Sequence, residues 1–160
     1  MNEHIDEHYC LASVKGVKLF ASAFSQDVVL ISQDDKANTG NELVSISDHN
    51  FPKGAKHKLI PSVYLVINSS NTNDSLCSGK MRIFVRSEYF LGISCETHMV
   101  DLVKITEEES FHEFTHHDGI VKPIWCLLTN GGPDKNFQFL ANIMKYALLF
   151  KKLDLDYLTV

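Results

Sequence analysis

Apolar residues recur at helical spacing between His8 and Phe24. Leu11, Val14, Leu19, Phe20 and Phe24 predict one face of a helix, with Gly16 as its weak point. The period then changes. Asp27 to Ser32 is a short β-branched run that reads as a buried strand, closed by Gln33-Asp34-Asp35-Lys36. The stretch from Asn38 to Lys58 is rich in Gly, Asn, Asp and Ser and predicts a loop. Leu59 to Ile67 reads as a second strand and Lys80 to Arg86 as a third. The polar segment Asn68 to Gly79 lies between them, so the two predict a hairpin with a long connection.

Ile93 to Ile105 is ambiguous in its pattern. Thr106 followed by Glu107, Glu108 and Glu109 has the form of a helix N-cap with a capping box. The helix it predicts runs to about His117 and ends at Gly119. A strand is expected at 122–129. It stops in Asn130-Gly-Gly-Pro-Asp134, and an amphipathic helix is expected at 136–152. The apolar end, Leu155 to Val160, begins a further strand. Because the chain stops inside that element, a truncated domain is expected, and residues 1–160 form one partial domain.

Composition changes this picture little. With 44% hydrophobic and 22% charged residues, 160 residues make one ordinary globular domain. The net charge of -5 offers no global attraction to nucleic acid. No apolar run approaches membrane-spanning length, and the acidic N-terminus has no signal-peptide pattern. Cys10, Cys77, Cys95 and Cys126 form no Cys-x-x-Cys pair. Cys10 and Cys126 sit in apolar patterns expected in a core, and an intracellular, reducing compartment is implied. The sequons at Asn68 and Asn73 then read as loop sequence.

Three groups of residues could carry chemistry. Asp34-Asp35 follows a strand directly, so at least one carboxylate should stand at a strand end. There it could bind a hard cation such as magnesium, or simply form a solvated turn. Asn130 and Asp134 follow the other strand. Asn130 brings a neutral carbonyl where a carboxylate would neutralise metal charge, and Asp134 either joins a metal site or caps the next helix. His112-Glu-Phe-Thr-His116 matches H-E-x-x-H. On a helix, His112 and His116 would share a face and hold zinc, with Glu113 as general base. The alternative is a surface helix with Phe111 and Phe114 turned inward. A longer zinc-peptidase pattern would require histidine at position 122, which is lysine. The other histidines, His4, His8, His49, His57 and His98, have no ligand spacing and read as surface or hydrogen-bonded residues. Lys53, Lys56 and Lys58 could touch phosphates but read as a solvated loop.

Four blocks resemble transposon-derived proteins with a ribonuclease H-like, DDE-type transposase or integrase core. They are Val29-Leu-Ile-Ser-Gln-Asp-Asp-Lys-Ala37; Ser47-Asp-His-Asn-Phe-Pro52 with His57-Lys-Leu-Ile-Pro-Ser-Val-Tyr64; Thr97-His-Met-Val-Asp-Leu102; and Lys122 to Asp134 with Leu153 to Val160. The resemblance implies an α/β fold with a mixed sheet flanked by helices. It also implies Mg2+ or Mn2+ as cofactor, DNA as partner and a nuclear, intracellular setting. The first metal-holding acid falls on Asp34, with Asp35 adjacent and Asp134 near. The second falls on position 130, where this chain has Asn130, and the third is expected beyond Val160. The stretch from Asn38 to Asn50 is too short for a whole second strand, so a shortened meander with an open edge is expected. These departures predict a remnant without strand-transfer activity. The alternatives are a zinc hydrolase built on His112, Glu113 and His116, and a non-catalytic interaction module or pseudogene product.

Overall fold

The structure, a computed structural model, describes residues 7–35, 59–70, 78–87, 94–130, 132, 135, 136 and 138–160. Several expectations lie outside the described residues: the loop at 38–58 with its lysine cluster, His4, His49, His57, Cys77, Asn73 and Asp134. The chain runs α1 (Glu7–Ala23), β1 (Val28–Asp35), β2 (Leu59–Ile67), β3 (Gly79–Ser87), α2 (Cys95–Glu107), a 3-10 turn (Glu109–Phe111) and α3 (His112–Thr115). It continues through β4 (His116–His117), β5 (Ile120–Val121), β6 (Ile124–Thr129), α4 (Leu140–Lys152) and β7 (Tyr157–Thr159).

Among the described residues, five strands form one mixed sheet in the order β3-β2-β1-β6-β7. β2 is antiparallel to both β1 and β3, whereas β1, β6 and β7 run parallel. The fold is thus α/β, with helices packed on a mixed sheet. The expected hairpin of Leu59–Ile67 with Lys80–Arg86 is present, and the final apolar segment does supply a strand. The stretch 38–50, where a shortened second strand is expected, lies outside the described residues. Among the described residues, β2 is nine residues long, pairs with β1 from Ser62 to Ile67 and pairs with β3 along its whole length. The hairpin begins tightly. A Cβ on Gly79 would stand 2.1 Å from the Val66 carbonyl oxygen, a contact only glycine avoids.

Alternation along the strands divides the core in two. Val29, Ile31, Tyr64, Val66, Trp125 and Leu127 face α2 and α4, meeting Met99, Leu102, Val103, Tyr146 and Leu149. Val28, Leu30, Ile67 and Cys126 face the other way, toward Ala21 and Val17 of α1. The face that α1 buries is therefore Val14, Val17, Lys18 and Ala21, which shares only Val14 with the expected stripe. Leu19, for example, is 69% exposed, and Cys10 is exposed as well. Small residues on that side let the helix lie close to the strands, while its bulky residues point outward.

Two helix boundaries also differ from expectation. Ser94 caps α2 in a capping box with Thr97, and Thr106 lies buried in the last turn, its hydroxyl donating to the Val103 carbonyl at 2.6 Å. The segment whose pattern is ambiguous becomes helix because its apolar residues cover the sheet. Asp118 and Gly119 both adopt positive φ, as a two-residue hairpin turn requires. They draw His116 and His117 into β4, opposite Val121 and Ile120. The expected helix over 106–117 is thereby reduced to a 3-10 turn and four α-helical residues.

Candidate functional site

The carboxyl ends of β1 and β6 lie side by side, Gln33 opposite Thr129. One residue further along are Asp34 and Asn130. Both belong to the alternation that faces α1, and the Asn130 amide Nδ2 donates to Asp34 Oδ1 at 3.2 Å. The Asn130 carbonyl accepts the backbone N–H of Gly132 at 3.3 Å. Those two contacts fix which end of the amide faces the carboxylate. The expectation that positions 34 and 130 come together is met, and Asn130 presents hydrogens, not a lone pair, to Asp34.

Asp35 belongs to the opposite face and to a different constellation. Its Oδ2 receives Lys135 Nζ at 2.6 Å and His98 Nε2 at 3.1 Å. The other ring nitrogen, Nδ1, lies 2.6 Å from the Tyr64 hydroxyl, which donates to Asp101 Oδ2 at 2.9 Å. Arg86 closes the chain on Asp101 Oδ1 and also donates to Ser62 Oγ at 3.1 Å. His98, Tyr64 and Asp101 are wholly buried. Tyr64 has one proton to give. It gives that proton to Asp101, and the tautomer of the His98 ring decides which partner donates at Nδ1.

The electrostatics follow from this geometry. Burial works against the Asp35 charge, but hydrogen bonds from His98, Lys135 and Ser62 outweigh it and hold the carboxyl well below the usual carboxylate range. Burial, then the charge of Asp101 and the hydrogen bond to it, pushes the Tyr64 phenol far above its ordinary range, with Arg86 opposing. Tyr64 therefore acts as a fixed proton donor. Gln33 shares this face two residues before Asp35. Its buried amide finds no hydrogen-bond partner among the described residues.

These residues do not fit a pair of divalent cations. Such a site needs several converging carboxylates. Asp34 meets an amide donor, while Asp35 points to the other side of the sheet and is matched by Lys135 and His98. Among the described residues, no three His, Cys, Asp or Glu side chains are arranged to hold a metal ion. His112 and His116 do come together, their ring centroids 4.3 Å apart. His112 Nε2 contacts the Thr106 carbonyl at 3.1 Å, and His116 Nδ1 contacts Thr115 Oγ1 at 2.9 Å. Burial, then His112, holds His116 below the ordinary imidazole range. Glu113 lies on α3, a helix of only four residues, and His116 lies beyond it in β4. A helix-borne H-E-x-x-H face is thus not formed.

The network around His98 was not visible from ligand spacing. One signal does point to it: His98 and Asp101 are separated by three residues and so share a helix face with Leu102 and Ile105. Tyr64, His98, Asp101 and Asp35 also fall inside the four blocks quoted above.

No known protein family, curated protein or solved structure matches the chain. Among the described residues, no helix is long and apolar enough to cross a membrane.

Proposed function

We propose that this chain is a catalytically silent domain of ribonuclease H-like fold, derived from a DDE-type transposase or integrase core. Support for the fold comes from the sheet order, with β2 alone reversed, and from helices that follow β3 and β6 onto one face. Support for the origin comes from the four sequence blocks. The observation that carries the functional reading is the hydrogen bond from the Asn130 amide to Asp34. In the family's chemistry, two acids at these strand ends share divalent cations that clamp the attacking and leaving oxygens. Here one acid has become a neutral amide, and its N–H group occupies the carboxylate that remains. The adjacent Asp35 cannot substitute, because its charge is already satisfied on the opposite face.

On this reading the protein neither nicks nor joins DNA. Incubation of the purified chain with supercoiled plasmid and Mg2+ or Mn2+ is expected to leave the plasmid intact. Metal-dependent nicking that disappears in Asp34→Ala would overturn the proposal.

A further inference from the structure

Asn130 is followed by Gly131, the only Asn-Gly pair in the chain. An asparagine side chain and the next backbone nitrogen can react with each other. The nitrogen attacks Cγ, and a five-membered ring closes. A β-carbon on the following residue crowds that approach, and glycine has none. The other asparagines precede Glu, Thr, Phe, Ser, Asp or Ile.

The position also leaves this amide open to reaction. β6 ends at Thr129, opposite Gln33, so Asn130 stands one residue past the last pair of the ladder. Asn130 is exposed. Its amide bonds, 3.2 Å to Asp34 and 3.3 Å from Gly132, lie at or beyond the long end of the normal range and compete with water. Other asparagines are held more firmly. Asn142 is buried and donates to the Asn136 carbonyl at 3.0 Å, and the Asn136 side chain accepts the Gln138 N–H at 2.8 Å.

We propose that Asn130 is a site of spontaneous deamidation, where the chain itself turns the amide beside Asp34 into a carboxylate. The Gly131 nitrogen gives its proton to hydroxide and bonds to Asn130 Cγ. The Cγ–Nδ2 bond breaks, and ammonia leaves with a proton taken from water. A second water then opens the cyclic imide. Attack at Cγ gives aspartate, and attack at the backbone carbonyl gives the isomer whose chain runs through the side chain. In sum one water is consumed and one ammonia released, with no change of oxidation state.

Aspartate at position 130 removes the N–H that Asp34 accepts and sets a second negative charge beside it. Two adjacent carboxylates disfavour each other's ionisation, and a divalent cation relieves that repulsion. This consequence rests on the silent-domain reading: an ageing chain regains the acid whose loss keeps cations away.

Peptide mapping by mass spectrometry tests the modification on the full chain held in mildly alkaline buffer. The mass gain of amide-to-acid conversion is expected at position 130 before any other asparagine. Gly131→Ala should slow it at least about tenfold, and Asn130→Gln, which needs a six-membered ring, should slow it too. An unreacted Asn130, after a synthetic peptide of the same local sequence has been converted, would overturn the proposal. Faster reaction at Asn68 would do the same. Mn2+ uptake separates this inference from the silent-domain reading. Aged wild type is expected to take up Mn2+ in proportion to its aspartate at position 130. If Asn130→Asp takes up none while the modification is seen, the silent-domain reading fails and the modification stands.

Discussion

Asp101→Ala is expected to lower the free energy of unfolding by about 3–5 kcal/mol, a large part of what a domain of this size possesses. Asp101 is 0% exposed and accepts from both Arg86 and Tyr64. Taking it away strands the Arg86 guanidinium, only 13% exposed, and removes the acceptor of the Tyr64 proton. The loss measures an uncompensated charge and is larger than the net contribution of the pair, because burying both ions was itself costly. Replacing Asp101 by Leu and Arg86 by Met together is therefore expected to recover much of the stability. Urea unfolding checks both, read as a shift in midpoint at constant slope. A loss below about 1 kcal/mol for Asp101→Ala would mean that the network is slack or open to water.

Asp35→Asn is expected to cost about 3 kcal/mol at pH 7, the lower end for a buried pair because the Asp35 side chain is 14% exposed. It removes the carboxylate that matches both Lys135 and His98. This penalty should depend on pH. The folded protein holds the Asp35 carboxyl below its ordinary value of 3.8. Above that value the group is ionised in both folded and unfolded chains, and its contribution is complete. As the pH falls through 3.8 the unfolded chain takes up the proton first, so the contribution shrinks. Wild type and Asp35→Asn should therefore differ less in stability at pH 3 than at pH 7. A difference that stays constant would show that Asp35 is not the group ionised inside this network.

Much of the sheet was legible because its strands are short β-branched runs bounded by turn residues. Leu59–Ile67 and the strand ending at Thr129 stand out by composition alone. Local pattern failed where tertiary packing chose between equal alternatives. α1 shows its bulky residues to solvent because close approach to β1 favoured Val17 and Ala21. Thr106 has the form of a helix start, yet it lies in the last turn of α2, because Ser94 with Thr97 caps that helix at its other end. His112 and His116 have helical spacing, but the Asp118-Gly119 turn pulls His116 into a strand.

The site divides in the same way. Asp34 and Asn130 could be placed from sequence because each stands at the carboxyl end of an apolar run, and the parallel register sets them side by side. The partners of Asp35 could not. Tyr64 and His98 are 34 residues apart and Tyr64 and Asp101 are 37 apart, joined only when α2 crosses the sheet. A histidine that is hydrogen-bonded in a core carries no local mark to separate it from one in water.

We propose that the amide at position 130 leaves Asp34 without a metal partner. Titration with Mn2+, followed by electron paramagnetic resonance on wild type and on Asn130→Asp, tests it most directly. Wild type is expected to show no saturable site below about 1 mM, whereas Asn130→Asp, which sets two carboxylates side by side, gains one at least about tenfold tighter. Stoichiometric Mn2+ uptake by wild type, lost in Asp34→Ala, would show that Asp34 does hold a metal ion.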